Sequence, residues 1–135
     1  MAIQLSVAVR NARLDAVEVT VGTAAILEIR SGAQPANCAA ADSGTLLASM
    51  TLASDWMNAA ASGQKTLLGT WNDPAANNAG TAAHFRIKDN PGTTCHMQGS
   101  VSGTGGGGDI ELNNTSIAPG QAVAISAFTL TDGNA

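Results

Sequence analysis

Two cysteines and two histidines are the side chains in this sequence best suited to chemistry, and their placement decides what they could do. His84 and His96 fall on two consecutive strand-like segments, Thr81 to Lys88 and Thr93 to Val101, joined by Asp89-Asn90-Pro91-Gly92, which has turn chemistry. Pairing Phe85 with Cys95 sets apolar side chains opposite one another, and it places His84 opposite His96 on the outer face. Such a pair beside Cys95 invites a metal reading. Structural zinc sites, however, use four closely spaced ligands, so the expectation is hydrogen-bonded or solvated histidines and no metal site. A Cys95–His96 nucleophilic dyad fails because neighbours on a strand point to opposite faces.

Other chemical signatures are equally thin. No serine sits in a Gly-x-Ser-x-Gly elbow, and the glycine-rich Gly103 to Gly108 stretch is followed by Asp109 where a phosphate loop would carry lysine and a helix. The ten acidic residues are scattered, with no pair in a motif that would separate their pKa values. The expectation is a chain that is not an enzyme, with no catalytic residue and no cofactor. Cys38 and Cys95 permit one intramolecular disulfide, but distant cysteines in a reducing cytosol are more often free thiols.

The elements that would position these residues read as mainly β. Ser6 is placed to cap a helix over Val7 to Val19, whose exit at Gly22 is expected to be strand-like because Val17, Val19 and Val21 alternate with Glu18 and Thr20. Its charged face is expected to meet solvent. Short strands are expected at Ala24 to Arg30, Thr45 to Leu52, Gln64 to Trp71, Thr81 to Lys88, Thr93 to Val101, Asp109 to Asn113 and Gln121 to Thr131. Loops rich in Gly, Pro, Asn and Asp separate them at Ser31 to Ser43, Asn72 to Gly80 and Ser102 to Gly108. The pattern predicts one all-β domain over residues 1–135, an antiparallel sandwich or jelly-roll-like fold with an N-terminal helix or arm at about 1–21.

Composition narrows the partners. The chain has 135 residues, with 26 alanines against 32 residues of Val, Ile, Leu, Met, Phe and Trp, so its core is thin and a homo-oligomer would supply missing burial. Trp56, Trp71, Phe85 and Phe128 are the expected core anchors. A formal charge of −4, with six basic residues and no basic stripe, argues against nucleic acid, and 3% aromatic residues leave few stacking platforms. No apolar run is long enough to cross a membrane as a helix, and no signal core opens the sequence, so the chain is expected to be soluble and unsecreted.

Three stretches carry a resemblance to a known family. Met1-Ala2-Ile3-Gln4-Leu5-Ser6-Val7 leading to Arg10-Asn11-Ala12-Arg13-Leu14-Asp15-Ala16, then Gly80-Thr81-Ala82-Ala83-His84-Phe85-Arg86-Ile87, and Phe128-Thr129-Leu130-Thr131-Asp132 resemble small virion structural proteins of tailed bacteriophages. The resemblance implies a β-rich particle subunit, assembled in the host bacterial cytoplasm, whose partners are other virion proteins. It carries across no active-site residue. A capsid decoration or cement protein is the leading expectation, with a tail, neck or fibre-associated subunit, or a carbohydrate- or receptor-binding module, as alternatives. Residues 1 to 16 are expected to serve assembly more than folding.

Overall fold

The computed structural model describes residues 2–135. After the N-terminal residues, α1 runs Val7–Val21, longer than its apolar spacing predicts. Ser6 caps it, accepting from Val9 N, and Gly22 stops it with φ 97°, its own N–H donating to Glu18 O. There is no strand-like exit. The valines that alternate at the end of the helix are held helical by the contacts of Glu18 described below.

The rest of the chain is β: β1 (Ile26–Arg30), β2 (Leu46–Thr51), β3 (Gln64–Thr66), β4 (Asn72–Asp73), β5 (Gly80–Thr81), β6 (His84–Lys88), β7 (Cys95–Gly103), β8 (Ile110–Leu112), β9 (Ser116–Ile117) and β10 (Val123–Thr131). One sheet runs β2-β1-β6-β7-β8-β10-β3, with β4 also pairing β10, and β5 and β9 form a separate two-stranded ribbon. The expected strand from Gln64 to Trp71 is thus shortened to three residues, and the one expected from Thr81 splits between two sheets.

The sheet is mixed rather than purely antiparallel, because β7 and β8 run parallel, Val101 pairing with Ile110 and Gly103 with Leu112. A parallel return ordinarily needs a long crossover. Here a handful of residues suffices because Gly105 and Gly107 take φ of 81° and 83°, the left-handed region open to glycine. The sheet also curls until its ends meet: β4, beside β10, sends Asp73 Oδ2 to Ser49 N of β2 at 3.0 Å, and Asn77 N donates to Leu47 O at 2.7 Å. That second bond and Asn78 Nδ2 on Leu46 O at 2.8 Å also occupy the edge of β2, which would otherwise offer unpaired backbone groups.

The interior between these faces is one apolar cluster. Trp56, Trp71, Phe85 and Phe128 are all buried in it, as their size predicts, and they form a chain of tilted or edge-on rings with centroids 5.5 to 5.8 Å apart.

The β6–β7 register differs from the one expected. Phe85 faces Gly99, Ile87 faces Met97 and Lys88 faces Cys95, so His96 is the extra residue of a bulge, and His84 faces Ser100. Two features impose this. Asp89 Oδ1 accepts from both Thr93 N and Thr94 N, which lengthens the turn beyond the four residues read as one. Gly99 also leaves room for the Phe85 ring, since a Cβ there would lie 2.7 Å from Phe85 Cε1.

Candidate functional site

The outer face of β6, expected to meet solvent, is buried along its whole length. His84, Arg86 and Lys88 alternate with the core residues Phe85 and Ile87, so they point away from the apolar cluster. The 31–43 loop folds over them as a lid, and the lid is held by charge.

Arg86 is the centre of that arrangement. It is 1% exposed and spends its planar fork on five acceptors: Nε on Cys95 Sγ at 3.2 Å, Nη1 on Ala40 O at 3.0 Å and Asp42 Oδ1 at 2.6 Å, and Nη2 on Cys38 O at 2.8 Å and Asn37 O at 3.4 Å. Lys88 Nζ reaches Asp42 Oδ2 at 2.6 Å and Glu28 Oε1 at 3.2 Å, and Arg30 closes the ring on Glu28 and Asp42. Three of the six basic residues in the sequence therefore converge on two carboxylates.

Burial alone would raise the Asp42 pKa, but hydrogen bonds from Lys88 and Arg86 and the charge of Arg30 overcome it and hold the carboxyl below its ordinary value. Arg86 is correspondingly held above the usual guanidinium value: burial opposes its charge, and the bonds to Cys95 and Asp42 prevail.

A cleft of about 340 Å3 opens beside this network, lined by Cys38, Asp42, Arg86, Lys88, Thr94 and Cys95 among others. It brings the two cysteines together from distant parts of the chain, and both thiols are free and half-buried. Burial and then the neighbouring Cys95 thiol push the Cys38 thiol up. Charged groups in the cleft are already committed: an incoming anion would have to displace Asp42 or a backbone carbonyl from Arg86.

A second charged cluster fixes α1. Lys65 of β3 is 2% exposed and lies 2.8 Å from Asp15 Oδ1 and 3.1 Å from Glu18 Oε2. Glu18 Oε1 also accepts from Trp56 N and Met57 N, Asp15 Oδ1 from Ala60 N, and Asn11 Oδ1 from Gly63 N. Polar residues of the helix expected to meet solvent thus share in its docking, beside the buried Leu14 and Val21. Of the helix or arm expected at about 1–21, the structure has the helix, and these bonds tie it to the domain.

The remaining candidates separate. His84 Nδ1 bonds Gly32 O at 2.9 Å and its Nε2 finds no partner among the described residues, whereas His96 is exposed on the bulge near α1. The two do not face each other. No group of three or more His, Cys, Asp and Glu side chains is placed to hold a metal among the described residues. Cys95 Sγ is engaged by Arg86 and donates to Met97 O at 3.3 Å, away from His96. The glycine-rich return does cradle an anion, but that anion is the chain's own: Gly105 N and Gly107 N donate to the two Glu111 carboxylate oxygens at 3.1 and 3.3 Å.

The roles of Asp42 and Glu28 were not foreseen. The signal available was His-Phe-Arg-Ile-Lys itself, in which a chain with six basic residues spends two of them in one short strand. Among the described residues no helix is long and apolar enough to cross a membrane. No protein-family model, curated protein or solved structure matches the chain.

Proposed function

We propose that this chain is a non-enzymatic structural subunit of a tailed-phage virion, a capsid decoration or cement protein that packs against copies of itself and against neighbouring virion proteins. The observation that carries this reading is where the exposed apolar surface lies. Ile3, Val7, Val9 and Val19, exposed at 78%, 48%, 45% and 81%, are the large apolar side chains left in solvent among the described residues, and all four belong to the N-terminal segment and α1. Elsewhere among the described residues the large apolar side chains are buried or half-buried.

Exposed valines on a rigidly anchored helix offer pre-organised contact points, because the ordering entropy is met within the domain and not at the interface. The commitment of the buried cations to internal carboxylates and carbonyls supports a scaffold over a catalyst. The resemblance of the N-terminal, Gly80–Ile87 and Phe128–Asp132 segments supplies the kind of particle.

The test uses point substitutions on the outward surface, since deleting the helix would also remove Asp15 and Glu18. Ile3→Ser combined with Val19→Ser should leave the melting midpoint within a few degrees of wild type while reducing self-association, read by light scattering, and incorporation into particles. Unchanged association would remove the basis of the proposal. Immunogold labelling of particles should mark the head. Labelling confined to the tail would replace decoration with a tail or neck role.

A further inference from the structure

The Arg86 guanidinium holds Cys95 and Cys38 on one planar group, the first through Sγ and the second through its carbonyl. We propose that Cys38 and Cys95 form a disulfide site which, when the protein meets an oxidising low-molecular-weight disulfide, cross-links the 31–43 loop to β7.

Three observations support it. Both cysteines line the same cleft, and both touch the Arg86 guanidinium, Cys95 through Sγ and Cys38 through its carbonyl. The loop is held in register by Arg86 and Asp42, with carbonyls of Asn37, Cys38 and Ala40 fixed on the guanidinium, so Cys38 is presented to Cys95 by a pre-organised segment. Their flanking residues Asn37, Ala39, Thr93 and Thr94 are exposed, so a small thiol reagent can reach the sulfurs. Displacement of the Cys38 pKa by the Cys95 thiol agrees with two sulfurs in interaction range. A soft metal is a poorer occupant, because the Arg86 N–H dipole and charge lie directly on Cys95 Sγ and oppose a cation there.

The chemistry is thiol–disulfide exchange, with oxidised glutathione as the oxidant. One cysteine, as its thiolate, attacks a glutathione sulfur; the glutathione S–S bond breaks and one glutathione thiol departs. The second cysteine then attacks the mixed disulfide and displaces the other glutathione. The protein loses two protons and two electrons, and two glutathione thiols form. Closing a loop this long removes conformational freedom from the unfolded chain, and the melting midpoint should rise by on the order of 10 °C. If the chain is a virion subunit, which rests on the function proposed above, the thiols stay open during assembly in a reducing cytosol and close after release. The cross-link itself does not depend on that reading.

The experiment uses the purified full chain, treated with either dithiothreitol or excess oxidised glutathione, then denatured, alkylated with iodoacetamide and weighed by intact mass spectrometry. The reduced protein should take two alkyl groups. The oxidised protein should take none, retain no glutathione, yield a Cys38–Cys95 linked peptide on digestion and melt higher. Cys38→Ser and Cys95→Ser should each keep one glutathione and lose the thermal shift. Two alkylated cysteines after oxidation, two retained glutathiones, or linkage between chains only would overturn the proposal. Because these masses are read on the isolated protein, they succeed or fail independently of where it sits on a particle.

Discussion

Arg86 illustrates how a buried charge becomes a structural part. A lone guanidinium in an apolar interior would be costly, yet here carbonyls of the covering loop and the Asp42 carboxylate serve as its solvent. Removing it should therefore cost more than the bonds themselves, since it leaves buried carbonyls unpaired and takes from Asp42 Oδ1 its donor. Arg86→Met should lower unfolding free energy by about 3–5 kcal/mol, measured by urea titration. Arg86→Lys should recover little of this, because one ammonium cannot serve five acceptors in a plane. A loss below about 1 kcal/mol for Arg86→Met would mean the loop is held by something else. The carboxylates also set a pH response. Hydrogen bonding to Lys65 and to Ala60 N lowers the Asp15 pKa; in Glu18 and Asp42, burial acts upward but bonds to Lys65, and to Lys88 and Arg86, outweigh it. A carboxyl whose pKa is lower when folded stabilises the protein above its unfolded value and loses that contribution as pH falls through the folded value. Their unfolded values are 3.8 for the aspartates and 4.5 for Glu18, so stability should hold at neutral pH and fall progressively below about pH 4.5. Lys65→Met should shallow that acid limb, as followed by urea midpoints across pH. An acid limb of unchanged slope in the variant would show that Lys65 does not set it.

At the scale of elements, α1 matters most for what it binds on its polar side. Glu18 accepts from two consecutive backbone amides, Trp56 N and Met57 N, which no other group is placed to satisfy, and it also neutralises the buried Lys65. Glu18→Ala should cost about 2–4 kcal/mol, combining two orphaned donors with a half-paired buried ammonium. Circular dichroism at half-denaturing urea should show it, and a near-neutral effect would mean the helix merely rests on the sheet. The start of this helix could be read from Ser6 and the spacing of Val7, Leu14, Val17 and Val21, since capping and period are local properties. Its end could not, because Val17, Val19 and Val21 fit a strand equally well, and the decision lies with Glu18 and a segment far away in sequence. The β6–β7 hairpin shows the same division. Asp89-Asn90-Pro91-Gly92 announces a turn, and alternation in His84–Lys88 announces a strand, but the register depends on Gly99 yielding space to Phe85 and on Asp89 binding amides beyond the expected turn. The site was least visible, since the segment 31–43, which reads only as a loop between strands, supplies Asp42 and Cys38 once the chain has folded over β6.

For the whole molecule, the question is whether a domain so rich in alanine unfolds as one body. Its apolar core reaches α1 through Val17 and Val21 alone and contains no residue of the 31–43 lid, which would leave each able to come away first. The two charged clusters oppose that. Lys65 joins α1 to β3, Arg86 and Lys88 join the lid to β1 and β6, and Asp73 joins the two ends of the curled sheet. Detaching either appendage exposes a buried cation without its partners, so partial unfolding should be nearly as costly as complete unfolding. The two tryptophans make this measurable: Trp56 Nε1 donates to Gly22 O at the end of α1, and Trp71 Nε1 donates to Trp56 O within the sheet core. Tryptophan fluorescence, which follows the helix junction and core, and far-ultraviolet circular dichroism, which follows the strands and helix, should therefore give superimposable urea transitions in the reduced protein. In Glu18→Ala the fluorescence transition should move to lower urea than the circular dichroism transition, because the helix junction is then free to open before the sheet. Separate transitions in the wild-type chain would show that the charged clusters fasten surfaces locally without coupling them into one cooperative unit.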